Sequence, residues 1–132
     1  VEEALTARLL AAPALAALVG NRITWGWRAP GEGLPAVTLT NVSPGRSYTY
    51  QGPAGLSGPR VQFDIWARDF ATAKAIERAL VAVLEQPAEL GGIRFAPAFL
   101  DAARGPIIEE LGGGLIAQRV SMDFFVWFSP AA

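Results

Sequence analysis

An α+β fold, with an antiparallel or mixed β-sheet and two main helices packed on one of its faces, is what this sequence predicts. Three observations carry the prediction. Apolar residues recur at helical spacing in two segments, one at the N-terminus and one after Asp69. Elsewhere they alternate with polar residues, as in strands that turn one face to a core. The order runs helix, strands, helix, strands, which sets the helices to one side of the sheet. At 132 residues the chain has the size of a single domain, spanning 1–132, and can bury a core without disulfide or metal staples.

The first helical segment is Glu2 to Val19, with Leu5, Leu9 and Leu10 on one face and Leu15 and Leu18 following. Pro13 has no amide hydrogen, so a break is expected near Ala12, with a short second helix starting at the proline. Gly20-Asn21 supplies a stop. Strands follow. Ile23, Trp25 and Trp27 alternate with Arg22, Thr24 and Gly26, and Pro35 to Val42 carries Val37 and Leu39 opposite Thr38 and Thr40. Ser43 to Pro59 is rich in Gly, Pro and Ser and reads as a long loop, with an extended arm or small hairpin around Ser47-Tyr48-Thr49-Tyr50. In Arg60 to Arg68, Val61, Phe63, Ile65 and Ala67 face one way and Gln62, Asp64, Trp66 and Arg68 the other. Asp69 is placed to cap a helix over Phe70 to Gln86. That helix has a stripe of Ile76, Ala79, Leu80, Val83 and Leu84 and ends at Pro87. Ile93 to Phe99 reads as a short strand, Asp101 to Gly114 as a polar, glycine-rich connection, and Leu115 to Phe128 as the longest strand.

The helix-facing core is then Val37, Leu39, Val61, Phe63, Ile65, Phe124, Val126 and Phe128. The opposite sheet face carries Trp66, Phe125 and Trp127 among polar residues. Three large aromatics on one face are hard to leave wet, so a loop or a neighbouring subunit is expected to cover them. These three are the candidate subunit interface.

Composition excludes much chemistry. There is no cysteine and no histidine, so disulfides, cysteine–histidine zinc sites, haem and iron–sulfur ligation are excluded. Ser-His-Asp and Cys-His catalysis go with them. The net charge is −1, which supplies no basic field for a polyanion. No apolar run reaches the roughly 18 residues of a membrane span, and the N-terminal segment lacks the pattern of a signal peptide.

The remaining constellations have plain readings. Asp101, Glu109 and Glu110 could hold a divalent cation, but without EF-hand spacing they read as a solvated acidic loop. Asp64 and Asp123 could form an acid–base pair, but pairing with Arg68 or Arg119 on the same face accounts for them. Lys74 falls on the polar side of its helix and reads as solvated. The glycine-rich loops lack any P-loop or dinucleotide-binding context. Arg46, Tyr48 and Tyr50 suit a protein-contacting arm better than a stacking platform for single-stranded nucleic acid. No catalytic residue, cofactor or metal is expected. Pattern alone ends at an interaction protein of the α+β class.

The chain resembles the short tail-completion family of siphophages, prophages and gene transfer agents. The resemblance rests on Ala4-Leu5-Thr6-Ala7-Arg8-Leu9-Leu10 followed by Pro13-Ala14-Leu15-Ala16-Ala17-Leu18-Val19-Gly20. It continues through Asn21-Arg22-Ile23 and Leu34-Pro35-Ala36-Val37-Thr38-Leu39. The strand VQFDIWA from Val61 to Ala67 before an alanine-rich helix, and the closing RVSMDFFVWF from Arg119, complete it. Each motif is ordinary; their order over almost the whole chain is what resembles the family.

The resemblance implies a non-enzymatic tail terminator assembled in the bacterial cytoplasm: a ring, typically a hexamer, that caps the tail tube and joins it to the head connector. DNA would pass through the lumen without specific binding, with Glu109 and Glu110 as candidate lining. Arg46, Tyr48 and Tyr50 would meet the tube or the connector. The alternatives are a head–tail adaptor, a tail-tube subunit, or a protein-binding module unrelated to phage.

Overall fold

Pro13 divides the N-terminal segment as its chemistry requires. Helix α1 (Glu2–Leu10) ends before it, and α2 (Pro13–Val19) begins on it. Gly20, at φ 59°, closes α2 by donating its N–H to the Ala16 carbonyl. The computed structural model describes residues 2–26, 34–43, 46–49, 52–90, 92–112 and 115–130.

After the helices come β1 (Ile23–Trp25), β2 (Ala36–Ser43), β3 (Arg46–Thr49), β4 (Gly52–Ser57) and β5 (Arg60–Ala67). Helix α3 (Phe70–Leu84) follows, then β6 (Ala88–Leu90), β7 (Ile93–Phe95), β8 (Phe99–Gly112), β9 (Leu115–Phe125) and β10 (Phe128–Pro130). One sheet has the order β1-β2-β5-β9-β8, parallel between β1 and β2 and antiparallel elsewhere. A second, antiparallel sheet has the order β3-β4-β10-β7-β6. The α+β class therefore holds, with the first helical segment divided at Pro13 as expected, and among the described residues a second sheet is built largely from short strands.

Helix α3 starts where Asp69 accepts a hydrogen bond from the Thr72 N–H at 2.7 Å. That bond, made to the ionised form, holds the Asp69 carboxyl below the usual carboxylate range. The helix lays Ala73, Ile76, Leu80 and Leu84 against β5, β9 and β8. Opposite them stand Val61, Phe63, Ile65 and Ala67 of β5 and Val120, Met122 and Phe124 of β9, all buried. Phe63 and Phe124 meet edge to face at 5.5 Å, a favoured aromatic geometry.

Three expectations are corrected. Leu10 is exposed, and the buried side of α1 is Ala4, Leu5, Arg8 and Leu9; at 100° per residue, Leu10 lies about 140° around the helix from Leu5. Asp101 to Gly114 is no loop, because residues 99–112 form β8 along the edge of the first sheet. Its polar sequence hides a strand whose pairing comes from β9. Phe128 leaves the first sheet: pairing of β9 ends at Phe125, and Phe128 lies in β10, tilted against Phe95 with centroids 6.5 Å apart.

Gly105 shows how β8 bends. Its φ is +113°, and a Cβ there would stand 2.6 Å from the Arg119 carbonyl oxygen, so only glycine fits. The register with β9 shifts at that point, between Arg104 and Ile107, and also between Leu100 and Ala102 and between Glu110 and Gly112.

Candidate functional site

The sheet face turned away from α3 carries charge where the other carries hydrocarbon. Alternation along β5 sends Arg60, Gln62, Asp64 and Trp66 to this side, and along β9 Arg119, Ser121, Asp123 and Phe125. The register sets Trp66 opposite Arg119, Asp64 opposite Ser121, Gln62 opposite Asp123 and Arg60 opposite Phe125. Asp64 and Asp123 are only 7% and 5% exposed, a placement that carboxylates tolerate when paired and hydrogen-bonded.

Both are. Asp64 accepts from Gln62 Nε2 at 3.0 Å, from Arg119 at 3.2 Å and from the Ser121 hydroxyl. Asp123 accepts from Arg60 at 2.9 Å and from Arg104 of β8 at 3.3 Å. Arg60 also reaches Asp101 at 2.6 Å, and Arg119 reaches Glu109 at 3.0 Å. Burial pushes the Asp123 carboxyl up, but the bonds and charges of Arg60 and Arg104 outweigh it and hold the group below the usual range. The hydrogen bond to Asp123 correspondingly raises the Arg60 guanidinium above its ordinary value, against some desolvation.

The carboxylates are thus engaged by guanidinium, amide and hydroxyl donors, and the arrangement ties β5, β9 and β8 together rather than presenting an acid–base pair. The expected ion pairing is present. Of the two expected partners, Arg119 pairs and Arg68 stays exposed; Arg60 and Arg104 are partners beyond those expected. Asp101 and Glu109 each hold an arginine, and among the described residues no group of three Asp, Glu, His or Cys side chains gathers to bind a metal. Lys74 pairs with Glu77 at 2.8 Å.

The aromatic candidates find cover within the chain. The Arg119 guanidinium lies 5.6 Å from the Trp66 ring centre, and Trp66 Nε1 donates to Thr38 Oγ1 at 3.1 Å. Arg60 lies 5.4 Å from the Phe125 ring. Trp127 sits in the break between β9 and β10, against Gly58, so its position is set by that contact and not by strand alternation. All three remain half-buried.

The arm expected within Ser43 to Pro59 is a hairpin of β3 and β4, and it forms one edge of the second sheet through β4 and β10. Backbone pairing sets Arg46 opposite Ser57 and Tyr48 opposite Pro53. Tyr50 lies outside the described residues. Of the proposed lumen pair, Glu109 is neutralised by Arg119, and Glu110 is exposed with no ion pair among the described residues.

Sequence reasoning missed Arg8. It is 6% exposed and donates to the carbonyls of Val83 and Gln86 at the end of α3, with its guanidinium 5.2 Å from the Phe95 ring. Burial pushes its guanidinium below the ordinary arginine value. A cation beside the last carbonyls of a helix is favourably placed at the negative end of the helix dipole. No local signal announces it, because helix and cation are 75 residues apart.

A sequence model of the family described as tail completion protein gp17 matches residues 3–105. A solved structure described as the virion of a native gene transfer agent particle contains a chain of similar fold. The TM-score is 0.66 at 23% identity, over 98% of this chain and 97% of that one. No curated protein matches the sequence.

Proposed function

Because the chain belongs to the tail completion protein gp17 family, we propose that this tail structural protein acts as a terminator, a ring of identical subunits that caps the tail tube and joins it to the head connector. The observation that carries the reading is the family match over residues 3–105. The similar chain in a gene transfer agent virion supports a place in a particle of that kind.

The activity is adhesive and steric, not catalytic. A ring subunit must present two unlike flanks that meet each other and close, together with axial surfaces for tube and connector. The outer sheet face with Trp66 and Phe125, and Trp127 beyond its end, is one proposed flank. The arginine contacts of Trp66 and Phe125 keep these two rings presentable to water before assembly. The β3–β4 hairpin with Arg46, Tyr48 and Tyr50 is the proposed axial contact, since it stands at a sheet edge. DNA would pass the ring without tight binding, in keeping with the net charge of −1.

Electron microscopy of the purified protein, alone and with tail tubes, tests the proposal. Closed rings that seat on tube ends are expected, most simply hexamers. Self-stacking filaments would mean a tube subunit instead. Deleting 46–55 should leave rings that fail to join heads to tails, and normal particles from that deletion would remove the hairpin from the axial role.

A further inference from the structure

The β8–β9 hairpin outruns the sheet that supports it. The last residue of β5, Ala67, pairs with Gln118, while β9 continues back to Leu115 and β8 on to Gly112. On this two-stranded arm the helix-side parity of the sheet persists through Met122, Val120 and Gln118 to Ile116. Ile116 lies opposite Glu110, and Ile108 opposite Gln118, so Ile108, Glu110 and Ile116 share that face. Within the body of the sheet α3 covers it. On the arm no described residue does: Ile108 is 72% and Ile116 52% exposed.

The same side of the molecule carries a complementary shape. Between α3 and β8 runs an open groove of about 470 Å³, walled by Val81, Ala82, Leu100 and Ala103. Lys74 and Arg78 stand at one end and Glu85 at the other. Lys74 is occupied by Glu77, whereas Arg78 is exposed and has no ion pair among the described residues.

We infer that the tip of the β8–β9 arm of one copy docks in the α3–β8 groove of the next. The claim rests on the ring reading above and adds, beside the aromatic face, a knob and a groove through which neighbouring copies meet. Spacing and charge select this occupant. Ile108 and Glu110 point the same way about 6.6 Å apart along a strand. Ala82 and Arg78 share a helix face one turn, about 6 Å, apart. An arm lying along the helix with Ile108 over Ala82 brings Glu110 to Arg78, pairing two charges that lack partners in the single chain. In the opposite direction Glu110 would approach Glu85. The β8 edge does not favour the alternative of strand addition, because Pro106 and three register shifts interrupt its backbone. Knob and groove are unlike surfaces of one chain, so the contact is heterologous and propagates around a ring. Glu110 is spent on this contact, and a lumen lining falls to other residues.

The chain contains no cysteine, which makes the test direct. The double variant Ile108→Cys with Ala82→Cys, oxidised after assembly, should give a ladder of covalent multimers on a denaturing gel, while each single variant stays monomeric. The register sets the groove residue Ala103 opposite Met122 and position 108 opposite Gln118, four residues of β9 or about 13 Å further on, too far for a disulfide to position 82 of its own chain. Arg78→Glu and Glu110→Arg should each weaken assembly tenfold or more, and the two together should recover most of it. Rings that form without the ladder, with losses that simply add in the charge swap, would overturn this contact and leave the ring reading standing. Cross-linked filaments would keep the contact and overturn the ring. A chain that stays monomeric even on tail tubes would overturn both.

Discussion

Trp127 stands so close over Gly58 that a methyl group added at Gly58 would lie 2.5 Å from the indole ring. No carbon approaches an aromatic ring that closely, so Gly58→Ala must push the indole away. Overpacking of this kind costs about 1–3 kcal/mol. Urea denaturation should show the loss, with a change in tryptophan fluorescence. An unchanged midpoint and spectrum would mean that the ring has room to move.

Phe63 is fully buried against Phe124 between the first sheet and α3. Phe63→Ala should lower stability by about 3–5 kcal/mol, through lost burial and the cavity left behind. A loss below about 1 kcal/mol would show that this part of the core collapses onto the gap.

Arg8 joins α1 to the end of α3. Arg8→Ala removes its hydrogen bonds to the carbonyls of Val83 and Gln86 and should cost about 1.5–3 kcal/mol, the range for hydrogen bonds to a charged group, besides the lost packing of its stem. Arg8→Met keeps the stem against Phe95 and should cost less. One guanidinium nitrogen, Nη1, is buried without a hydrogen-bond partner, so removing the charge also relieves a penalty. Thermal melts of the two variants would rank them, and a methionine variant no better than the alanine one would assign the whole effect to the carbonyls.

Asp123 gives the fold an acid-sensitive tie. Its carboxyl lies below the unfolded aspartate value of about 3.9. The stability it contributes is therefore present above about pH 4 and is lost as the pH falls through the lower folded value. Asp123→Asn should reduce stability at neutral pH and flatten the decline on acidification. Denaturation across an acidic pH series would show an equally steep decline in both proteins if the carboxylate carried no such linkage.

Duplex DNA should bind weakly at about 0.15 M salt and without sequence preference. Nonspecific affinity comes from cations free to replace counterions. Here Arg60, Arg104 and Arg119 are committed to carboxylates within the chain. Fluorescence anisotropy over a salt series tests this, and submicromolar binding would contradict a passive conduit.

The sequence disclosed what depends on neighbours along the chain. Alternation in Val61 to Ala67 named the buried side of β5, and Asp69 announced the start of α3. What it concealed depends on partners brought from far away. Residues 101–112 look like a loop because Gly105, Pro106 and two glutamates suppress any strand signal, yet β9 supplies their pairing. Strand parity put Asp64 and Asp123 on the same face as Arg119, but only the register with β8 reveals Arg104. Arg8 reads as a solvated cation until the end of α3 is placed beside it. The exposed Ile108 and Ile116 carry a trace of their position, two isoleucines beside acidic and glycine-rich stretches, but a hydrophobic pair there reads equally as a buried turn of strand.

The two seams of β9 differ in how they would bear tension. Toward β5, the pairing runs without interruption from Arg60 to Ala67, so a pull along the strands loads the whole seam at once. Toward β8 the pairing breaks three times, and the same pull is met in separate pieces. Under strain β8 should yield first and leave the β5–β9 seam with its helix intact. Amide protons of β8 should accordingly exchange ahead of those of β5. In the proposed place between a head and a tail, such a subunit would give at its margin without coming apart at its centre.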